Sequence, residues 1–337
     1  MHGSRVTIRD VAQAAGVSPA AVSKVLNDGY GVSAAMREKV MRTVAELGYR
    51  PNAAARAMRG HSDTVGVVAD IGVPIVAQVV DGIRKGLEGS ALDILLAPVQ
   101  SDPHSQQASI DSMLNRSVDG LILIAPGLPR RALDTLGASL PTVLIGRHGG
   151  GRRFDSVMDD DAAGAALAVE HLADLGHERI SHITMPAGGL RRPSVLPQTA
   201  REDGYVAAMR ERSLEPDVIT TDYSEEGGYT GALAALKRDR PATAIFAGTD
   251  TVALGVLRAA HELGLRVPQD LSVVGADNIP VAALPQISLT TIDPAGELNG
   301  STSARFLRER MDGRMNPVTY ALTPSLIVRG TTAPLEE

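Results

Sequence analysis

Apolar residues near the start of the chain recur at helical spacing. They fall at Ile8, Val11, Ala12 and Ala15, which is the spacing of one buried helix face. Gly16 then stands where a chain leaving a helix often needs a left-handed residue. This pattern predicts a short amphipathic helix that ends in a tight turn.

A second helix is predicted immediately after this turn. Ser18 is suited to cap it, and Pro19 suits its first position, where no amide donor is required. Val22, Val25 and Leu26 form its apolar side. The residues left facing outward are small, polar or basic: Pro19, Ala20, Ser23, Lys24 and Asn27. Two short helices joined by a turn, with such a free face on the second, fit the major groove of DNA.

A third helix is predicted to complete a small core. Ser33 opens it and Gly48 ends it. Its apolar stripe consists of Met36, Val40, Val44 and Leu47. The following segment, residues 49–59, favours helix but carries one large apolar side chain, Met58, so it needs a surface from elsewhere. A minor groove supplies one, because alanines permit close approach, arginines meet phosphates and an apolar side chain can part a base step.

The rest of the chain alternates short apolar runs with amphipathic stretches of helical length. The runs are VGVVA, DILLA, GLILIA and TVLIG, and after an acidic stretch at residues 158–161 they restart as ISHIT, DVIT, TAIFAG and LSVVGA. Such alternation is typical of parallel sheets flanked by helices, and two successive sets predict two α/β subdomains with a cleft between them. Ligands of such sheets bind beyond the carboxyl ends of the strands.

Residues 7–59 resemble the DNA-binding headpiece and hinge helix of the LacI/GalR family of bacterial repressors. The similarity rests on VTIRDVAQAAGVSPAAVSKVLN and VSAAMREKVMRTVAELGYRPNAAARAMR. HLADLGHERI, AREDGY, PATAIFAGTD and LGLRVPQDLSVVGADN resemble the family's effector domain. The resemblance implies an all-α helix-turn-helix headpiece with a hinge helix over residues 1–60. An α/β core of the type I periplasmic-binding-protein-like fold, with two parallel-sheet subdomains crossed three times by the chain, is implied over residues 61–337.

In the headpiece the resemblance implies base contacts from Pro19, Ala20 and Lys24. Lys24 can donate to guanine O6 or N7 as a point charge, and the other two offer van der Waals contacts. Phosphate contacts are expected from Thr7, Ser18, Ala21, Ser23 and Asn27. Further DNA contacts are implied in the hinge segment, from Asn52, Ala55, Arg56 and Met58. The alternative is a merely solvated helix face and an exposed linker.

In the cleft the resemblance implies effector contacts from residues that follow predicted strands. They are Asp70, Ile75, Arg147, Arg201, Tyr223, Asp250 and Asp277. Arg201 is expected to hold effector hydroxyls or a carboxylate, Asp250 and Asp277 to accept hydroxyl hydrogens, and Tyr223 to stack on a ring. Two alternatives stay open: Asp250 as a helix cap, and Arg201 paired with an acid. Relatives often carry Asn-Pro and two aromatics where residues 73–76 read VPIV.

Charge is distributed unevenly along the chain. Residues 1–60 hold nine lysines and arginines and four acidic residues, a formal charge of +5, which leaves −11 for the remainder of a chain whose net charge is −6. A basic head on an acidic body draws the head to phosphates while the body is repelled. The whole-chain charge therefore does not argue against a nucleic-acid partner.

Several other classes of protein find little support. The chain has no cysteine, which excludes disulfides and thiolate metal sites, and it shows no signal peptide or membrane-length apolar run. His177 and His182 are spaced one residue too far apart for a zinc-protease helix, and the acids at 159–161 are explained as residues that open a helix. No metal, cofactor or catalytic site is expected. A solute-binding protein would share the body fold but would gain nothing from residues 1–60.

These observations predict a cytoplasmic, homodimeric transcriptional regulator, expected to be a repressor. It should bind double-stranded DNA at a near-palindromic operator, and no membrane contact is expected. The absence of a leucine heptad near the end of the chain favours a dimer over a tetramer. The effector is expected to be a sugar or related metabolite, and the sequence leaves open whether it acts as inducer or corepressor.

Overall fold

The computed structural model describes residues 6–26, 30–49, 62–100, 103–186 and 196–335. The chain divides after Ser62 into two compact units. In the described part of the first unit, three helices are present: α1 (Ile8–Ala15), α2 (Pro19–Leu26) and α3 (Ala34–Leu47). Their apolar faces form one core, made by Val11, Ala12, Ala15, Val22, Val25 and Val40.

The ends of these helices follow local rules. Thr7 and Ser33 cap α1 and α3 through their side chains, and Gly16 and Gly48 end the two helices with φ of 62° and 61°. A positive φ is a conformation that glycine adopts without steric cost. The three helices predicted up to Gly48, and their ends, are confirmed, whereas the predicted hinge helix lies outside the described residues.

One predicted core residue of α3 is wrong. Leu47 is 37% exposed, whereas Tyr49 packs against the core. The reason is the turn at Gly48, after which the Tyr49 amide donates to the Val44 carbonyl at 3.0 Å. When a helix ends in such a turn, the residue after the glycine folds back onto the apolar face of that helix. Tyr49 therefore takes the core position that was predicted for Leu47.

The second unit contains two α/β subdomains. The N-subdomain has the strands β1 (Thr64–Ala69), β2 (Asp93–Pro98), β3 (Gly120–Ile124), β4 (Thr142–Ile145), β5 (Asp155–Asp159) and β11 (Thr319–Leu322). They form one parallel sheet in the order β11-β5-β4-β3-β1-β2. Its helices are α4 (Ile75–Gly86), α5 (Pro103–Asn115), α6 (Arg130–Ser139) and α11 (Gly296–Met311).

The C-subdomain repeats this architecture. Its strands are β6 (Ile180–Thr184), β7 (Asp217–Thr220), β8 (Ala244–Ala247), β9 (Ser272–Ala276), β10 (Thr290–Asp293) and β12 (Ser325–Ile327). The order is β12-β10-β9-β8-β6-β7, parallel except where β12 pairs with β10. Its helices are α7 (Asp161–Asp174), α8 (Pro197–Glu211), α9 (Glu225–Leu236) and α10 (Asp250–Glu262).

The chain crosses between the subdomains three times. It crosses from β5 to α7, from β10 to α11, and from β11 to β12. Because β5 and β10 lead directly into crossings, their carboxyl ends lie at the boundary between the two subdomains. The predicted cleft between the subdomains therefore lies at the carboxyl ends of these strands, where ligands of such sheets bind.

Every apolar run identified in the sequence forms a strand, but β5 and β10–β12 were not predicted. β5 shows why. Its first residue, Asp155, is fully buried and lies 2.5 Å from Arg314 Nη2 and 3.0 Å from Arg310 Nε. Both arginines come from the far end of the chain, so the pattern of local hydrophobicity could not reveal a buried strand.

Glycines set the distance between neighbouring helices in the second unit. A Cβ atom at Gly82 of α4 would collide with the Glu297 carbonyl of α11, and one at Gly300 of α11 would collide with the Val79 carbonyl of α4. Backbone contact of this kind leaves no room for a side chain. The two helices therefore behave as one packed pair.

Candidate functional site

The exposed face of α2 is a candidate surface for macromolecular recognition. Pro19, Ala20 and Lys24 are exposed, while Val22 and Val25 are buried in the helical core. Ser18 fixes the start of the helix, because its Oγ accepts from the Ala21 amide at 3.1 Å. The helix α2, which begins at this cap, therefore exposes one basic side chain, Lys24, and two small ones, Pro19 and Ala20.

The first helix supports this arrangement. Thr7 and Asp10 form a reciprocal cap, in which the Thr7 amide donates to Asp10 Oδ2 at 2.7 Å. This hydrogen bond is the main cause that holds the pKa of Asp10 below its usual range. At the turn, the Val17 amide donates to the Ala12 carbonyl at 3.0 Å. The angle between α1 and α2 is thus fixed by backbone hydrogen bonds as well as by core packing.

A second candidate site lies at the strand ends between the two subdomains. Its centre is the guanidinium of Arg201 on α8, which is 8% exposed. Arg201 donates to the Gly248 carbonyl and, through Nη2, to Asp161 Oδ1 at 2.7 Å. The other oxygen of Asp161 lies 2.7 Å from Nε2 of His148, which follows β4. The Asp161 carboxylate therefore contacts both Arg201 of the C-subdomain and His148 in a loop of the N-subdomain.

The cavity beside Arg201 is lined by three carboxylates and one guanidinium. This small cavity is lined by Asp159, Asp161, Gly164, Arg201, Ala276, Asp277, Ile292 and Pro294. Burial and the neighbouring Asp161 raise the pKa of Asp159 to about 7. Burial likewise raises the pKa of Asp277 well above its usual value, although Arg201 opposes the shift. Shifts of this kind are frequent where a protein binds ligands.

Comparison with known proteins shows the family to which the chain belongs. Residues 7–52 match the model of bacterial regulatory proteins of the lacI family, and residues 169–332 match a periplasmic binding protein-like domain. The ribose operon repressor of Haemophilus influenzae is 33% identical over 329 residues, which are 96% of this chain and 97% of that protein. The chain belongs to the LacI family.

Two further LacI-family proteins extend the comparison. The HTH-type transcriptional repressor PurR of Edwardsiella ictaluri is 31% identical over 340 residues, with 97% of each chain covered. The crystal structure of the lac repressor dimer bound to operator and the anti-inducer ONPF aligns with a TM-score of 0.84 and 28% identity, over 98% of this chain and 100% of that chain. The similarity therefore extends over headpiece and body together.

The structure describes part of the DNA-binding set predicted from the LacI resemblance. Thr7, Ser18, Pro19 and Ala20 are exposed along the start of α1 and α2, and Lys24 lies one turn further on. Ala21 and Ser23 are half-buried on α2. Asn27, Asn52, Ala55, Arg56 and Met58 lie outside the described residues.

Of the effector residues predicted on the C-subdomain, Arg201 and Asp277 line the cavity, whereas Tyr223 and Asp250 are not part of its lining. Tyr223 lies against Gly248, at which a Cβ atom would collide with its phenol, and its hydroxyl is 3.5 Å from Thr184 Oγ1. The carboxylate of Asp250 is fully buried and already engaged, since it accepts from the Ile279 amide at 2.8 Å and from Thr291 Oγ1 at 2.5 Å. Thr249, not Asp250, caps α10.

The residues predicted on the N-subdomain lie apart from the lining of this cavity. Asp70 accepts from the Gly72 amide at 3.0 Å in the turn after β1. Ile75 begins α4 and packs against the N-subdomain core. Arg147 is buried and donates to the Pro126 carbonyl at 2.6 Å. Burial, with a contribution from Arg130, lowers the pKa of Arg147.

The expectation that the acids at residues 159–161 open a helix is correct for Asp160 and for Asp161, the first residue of α7, and wrong for Asp159. Asp160 caps α7, with its Oδ1 accepting from the Ala163 amide at 3.0 Å. Asp159 ends β5, and Asp161 pairs with Arg201. Burial alone would lower the pKa of His148, but Asp161 and its acidic neighbours raise it above the usual range. The three consecutive acidic residues were the signal in the sequence that could have pointed to this part of the site.

Two kinds of feature are absent from the described residues. Among the described residues no helix is long and apolar enough to cross a bilayer. Within the same ranges, no group of three or more His, Asp or Glu side chains is arranged to hold a metal ion. His182, one of the histidines considered for zinc, is buried on β6, and Nδ1 lies 2.9 Å from the Phe246 carbonyl.

Proposed function

We propose that this protein is a sequence-specific transcriptional repressor whose hold on DNA is controlled by a small molecule bound between its two subdomains. The observation that carries the proposal is the exposed face of α2, with Lys24 at its centre, behind a capped turn. A helix so placed can enter a major groove with its first turns toward the bases. Full-length relatives named as repressors support the same function.

The DNA partner is a duplex with a near-palindromic site. Lys24 supplies a hydrogen-bond donor for guanine, and Pro19 and Ala20 supply apolar contacts. A homodimer would present two copies of α2 related by a two-fold axis, and the lac repressor, which aligns over nearly the whole chain, binds its operator as a dimer. The residues Thr7, Ser18, Ala21 and Ser23 would then contact phosphates.

The effector is a hydroxyl-rich metabolite, such as a sugar. Asp159 and Asp277 offer acceptors for hydroxyl hydrogens at the carboxyl ends of β5 and β9. Tyr223 offers an aromatic face beside Arg201. The carboxylate of Asp250 is hydrogen-bonded within the protein. We therefore propose that Asp250 positions the loop after β9, in addition to the effector contact predicted for it.

A LacI-family regulator acts on DNA without chemical turnover, so no enzymatic activity or bound cofactor is assigned. It acts where the chromosome lies, which places it in the cytoplasm. An inducer and a corepressor would use the same cleft and differ in which arrangement of the subdomains they stabilise.

The direct test is selection of genomic DNA. Purified full-length protein is mixed with fragmented genomic DNA and excess bulk competitor duplex, and retained fragments are sequenced. We expect a few fragments to be strongly enriched. Lys24→Ala should lose this enrichment, whereas Lys39→Ala, which removes the same charge from α3, should keep it. Failure of the unaltered protein to prefer any fragment would overturn the proposal.

The effector is tested on the same fragments. Thermal shifts are recorded with sugars, sugar phosphates and nucleobases, and compounds that raise Tm are added to the DNA-binding assay. Release of the retained fragment identifies an inducer, and tighter retention identifies a corepressor. Absence of any stabilising compound together with unchanged DNA binding would remove the effector from the proposal.

A further inference from the structure

The loop that follows β9 has an unfavourable backbone. Asp277 has φ of 104° and Asn278 has φ of 47°, and neither is glycine. Non-glycine residues at positive φ cost free energy and persist only where the surroundings hold them. This loop also carries Asp277, whose carboxylate lines the cleft and is 6% exposed.

The C-subdomain holds the backbone amides of this loop. The Asp277 amide donates to the Ile292 carbonyl at 2.9 Å, and the Ile279 amide donates to Asp250 Oδ2 at 2.8 Å. The amides on either side of Asn278 are therefore satisfied from within the same subdomain.

The side chain of Asn278 is held on both of its polar ends. Its Nδ2 donates to Asp293 Oδ2 at 3.0 Å, and its Oδ1 accepts from Arg329 Nη2 at 2.6 Å. The other oxygen of Asp293 accepts from the Ala295 amide at 2.7 Å, in the crossing that leads to α11. The loop is thus tied to the start of a crossing as well as to its own sheet.

One further hydrogen-bonding group comes from the opposite subdomain. Gln78 projects from α4, and its Nε2 donates to the carbonyls of Asp277 and Asn278, both at 3.2 Å. Every other hydrogen bond described above comes from the C-subdomain or from the crossing at Ala295. The side-chain amide of Gln78 is therefore the group of the N-subdomain that is hydrogen-bonded to two consecutive carbonyls of this loop.

The helix that carries Gln78 cannot adjust on its own. α4 and α11 are in backbone contact at Gly82 and Gly300, and α11 begins directly after the crossing tied to Asp293. A displacement of the loop would therefore reach the N-subdomain by two routes, through Gln78 and through the crossing. Both routes end on the same helix pair.

We propose that Gln78 is the positioning residue through which the N-subdomain senses the effector loop. A ligand that engages the Asp277 carboxylate and moves the loop would weaken or strengthen the two hydrogen bonds from Gln78. That change shifts the balance between two arrangements of the subdomains. The inference rests on the proposed function for the role of the ligand at Asp277, and the positioning role itself is testable without ligand or DNA.

The test is single-molecule energy transfer across the cleft in the full-length protein. The chain contains no cysteine, so Asn115→Cys on α5 and Lys237→Cys after α9, both exposed positions, can be labelled alone. The label pair is placed in the unaltered background and in Gln78→Leu, which removes both donor hydrogens. Loss of two hydrogen bonds is expected to raise the minor population about tenfold relative to the major one.

The control is Lys85→Met on the same helix. Lys85 contacts Glu297 at 2.7 Å and Asp81 at 3.1 Å, both within the N-subdomain, so its loss should leave the distribution unchanged. Gln78→Glu serves if Gln78→Leu does not fold, because a carboxylate keeps the size but cannot donate, and the same shift is expected.

Distributions of the Gln78 variants that superimpose on the unaltered protein would overturn the proposal, as would an equal shift in Lys85→Met. Neither result bears on whether the protein selects DNA. Conversely, failed DNA selection would leave the energy-transfer result intact, so failure of this inference and failure of the proposed function are distinguishable.

Discussion

Asp159 is expected to destabilise the folded protein at neutral and alkaline pH. Its pKa is 3.8 as a free side chain and about 7 in the fold, where burial and Asp161 disfavour the charged form. Below pH 4 Asp159 is protonated in both the folded and the unfolded chain, so it does not change the free energy of unfolding. Between pH 4 and 7 the unfolded chain releases the proton first, so stability falls as pH rises, and above pH 7 the whole cost is present.

The magnitude follows from the two pKa values. A rise from 3.8 to about 7 corresponds to about 4 kcal/mol if the shift acts in full. Because the carboxylate is half-buried and open to the cleft on one side, we expect roughly half of this, about 2 kcal/mol. Asp159→Asn keeps the shape and removes the charge, so it should be more stable than the unaltered protein by that amount at pH 8.

The assay is urea unfolding of the full-length protein at pH 4.5 and pH 8, followed by circular dichroism. Asp160→Asn is the matched control, because Asp160 is exposed and asparagine caps a helix as well as aspartate does. We expect almost no change in the control at either pH. Equal stability of Asp159→Asn and the unaltered protein at pH 8, or a gain that does not grow with pH, would refute the reasoning.

Four further substitutions test other parts of the account. Lys24→Ala should weaken binding to a selected fragment by roughly 1–3 kcal/mol and binding to bulk duplex by less, as measured by a titration on both DNAs; equal losses would remove it as a base contact. Ser18→Ala should lower the stability of the headpiece by about 1 kcal/mol in thermal unfolding, since the cap at Ala21 is lost. Gly82→Ala should destabilise the second unit by more than about 2 kcal/mol in urea, because its Cβ would meet the backbone of α11; an unchanged midpoint would contradict the close packing. Arg201→Gln should leave the buried Asp161 without its guanidinium partner, cost about 3 kcal/mol and abolish thermal shifts by effector compounds, while DNA selection persists in the folded protein.

Local chemistry was enough to predict the three described helices of the headpiece. Gly16, Ser18 and Pro19 specify a turn and a helix start within four residues, and each acts through its own backbone or a neighbouring amide. Tyr49 was missed because its packing depends on the geometry of the turn at Gly48, which a periodic stripe does not describe. Hydrophobic periodicity predicts helices well where the core residues lie on successive turns of the same helix.

The cleft was only partly predictable, because its residues interact over long separations in sequence. Arg201 meets Asp161 across 40 positions, and Gln78 meets Asp277 across 199. Nothing near Gln78 in the sequence distinguishes it from any other polar residue on a helix. Asp250 shows the converse, since its place after a strand suggested a ligand contact, whereas its carboxylate is occupied by Thr291 and the Ile279 amide.

The most direct test of the central claim is selection of binding sites from random duplexes by the full-length protein, followed by sequencing. If the exposed face of α2 reads bases from two related subunits, the retained sequences will share two inverted half-sites, and Lys24→Ala will lose the preference at one position in each half. Retained duplexes without a common motif, or an identical motif in Lys24→Ala, would contradict it.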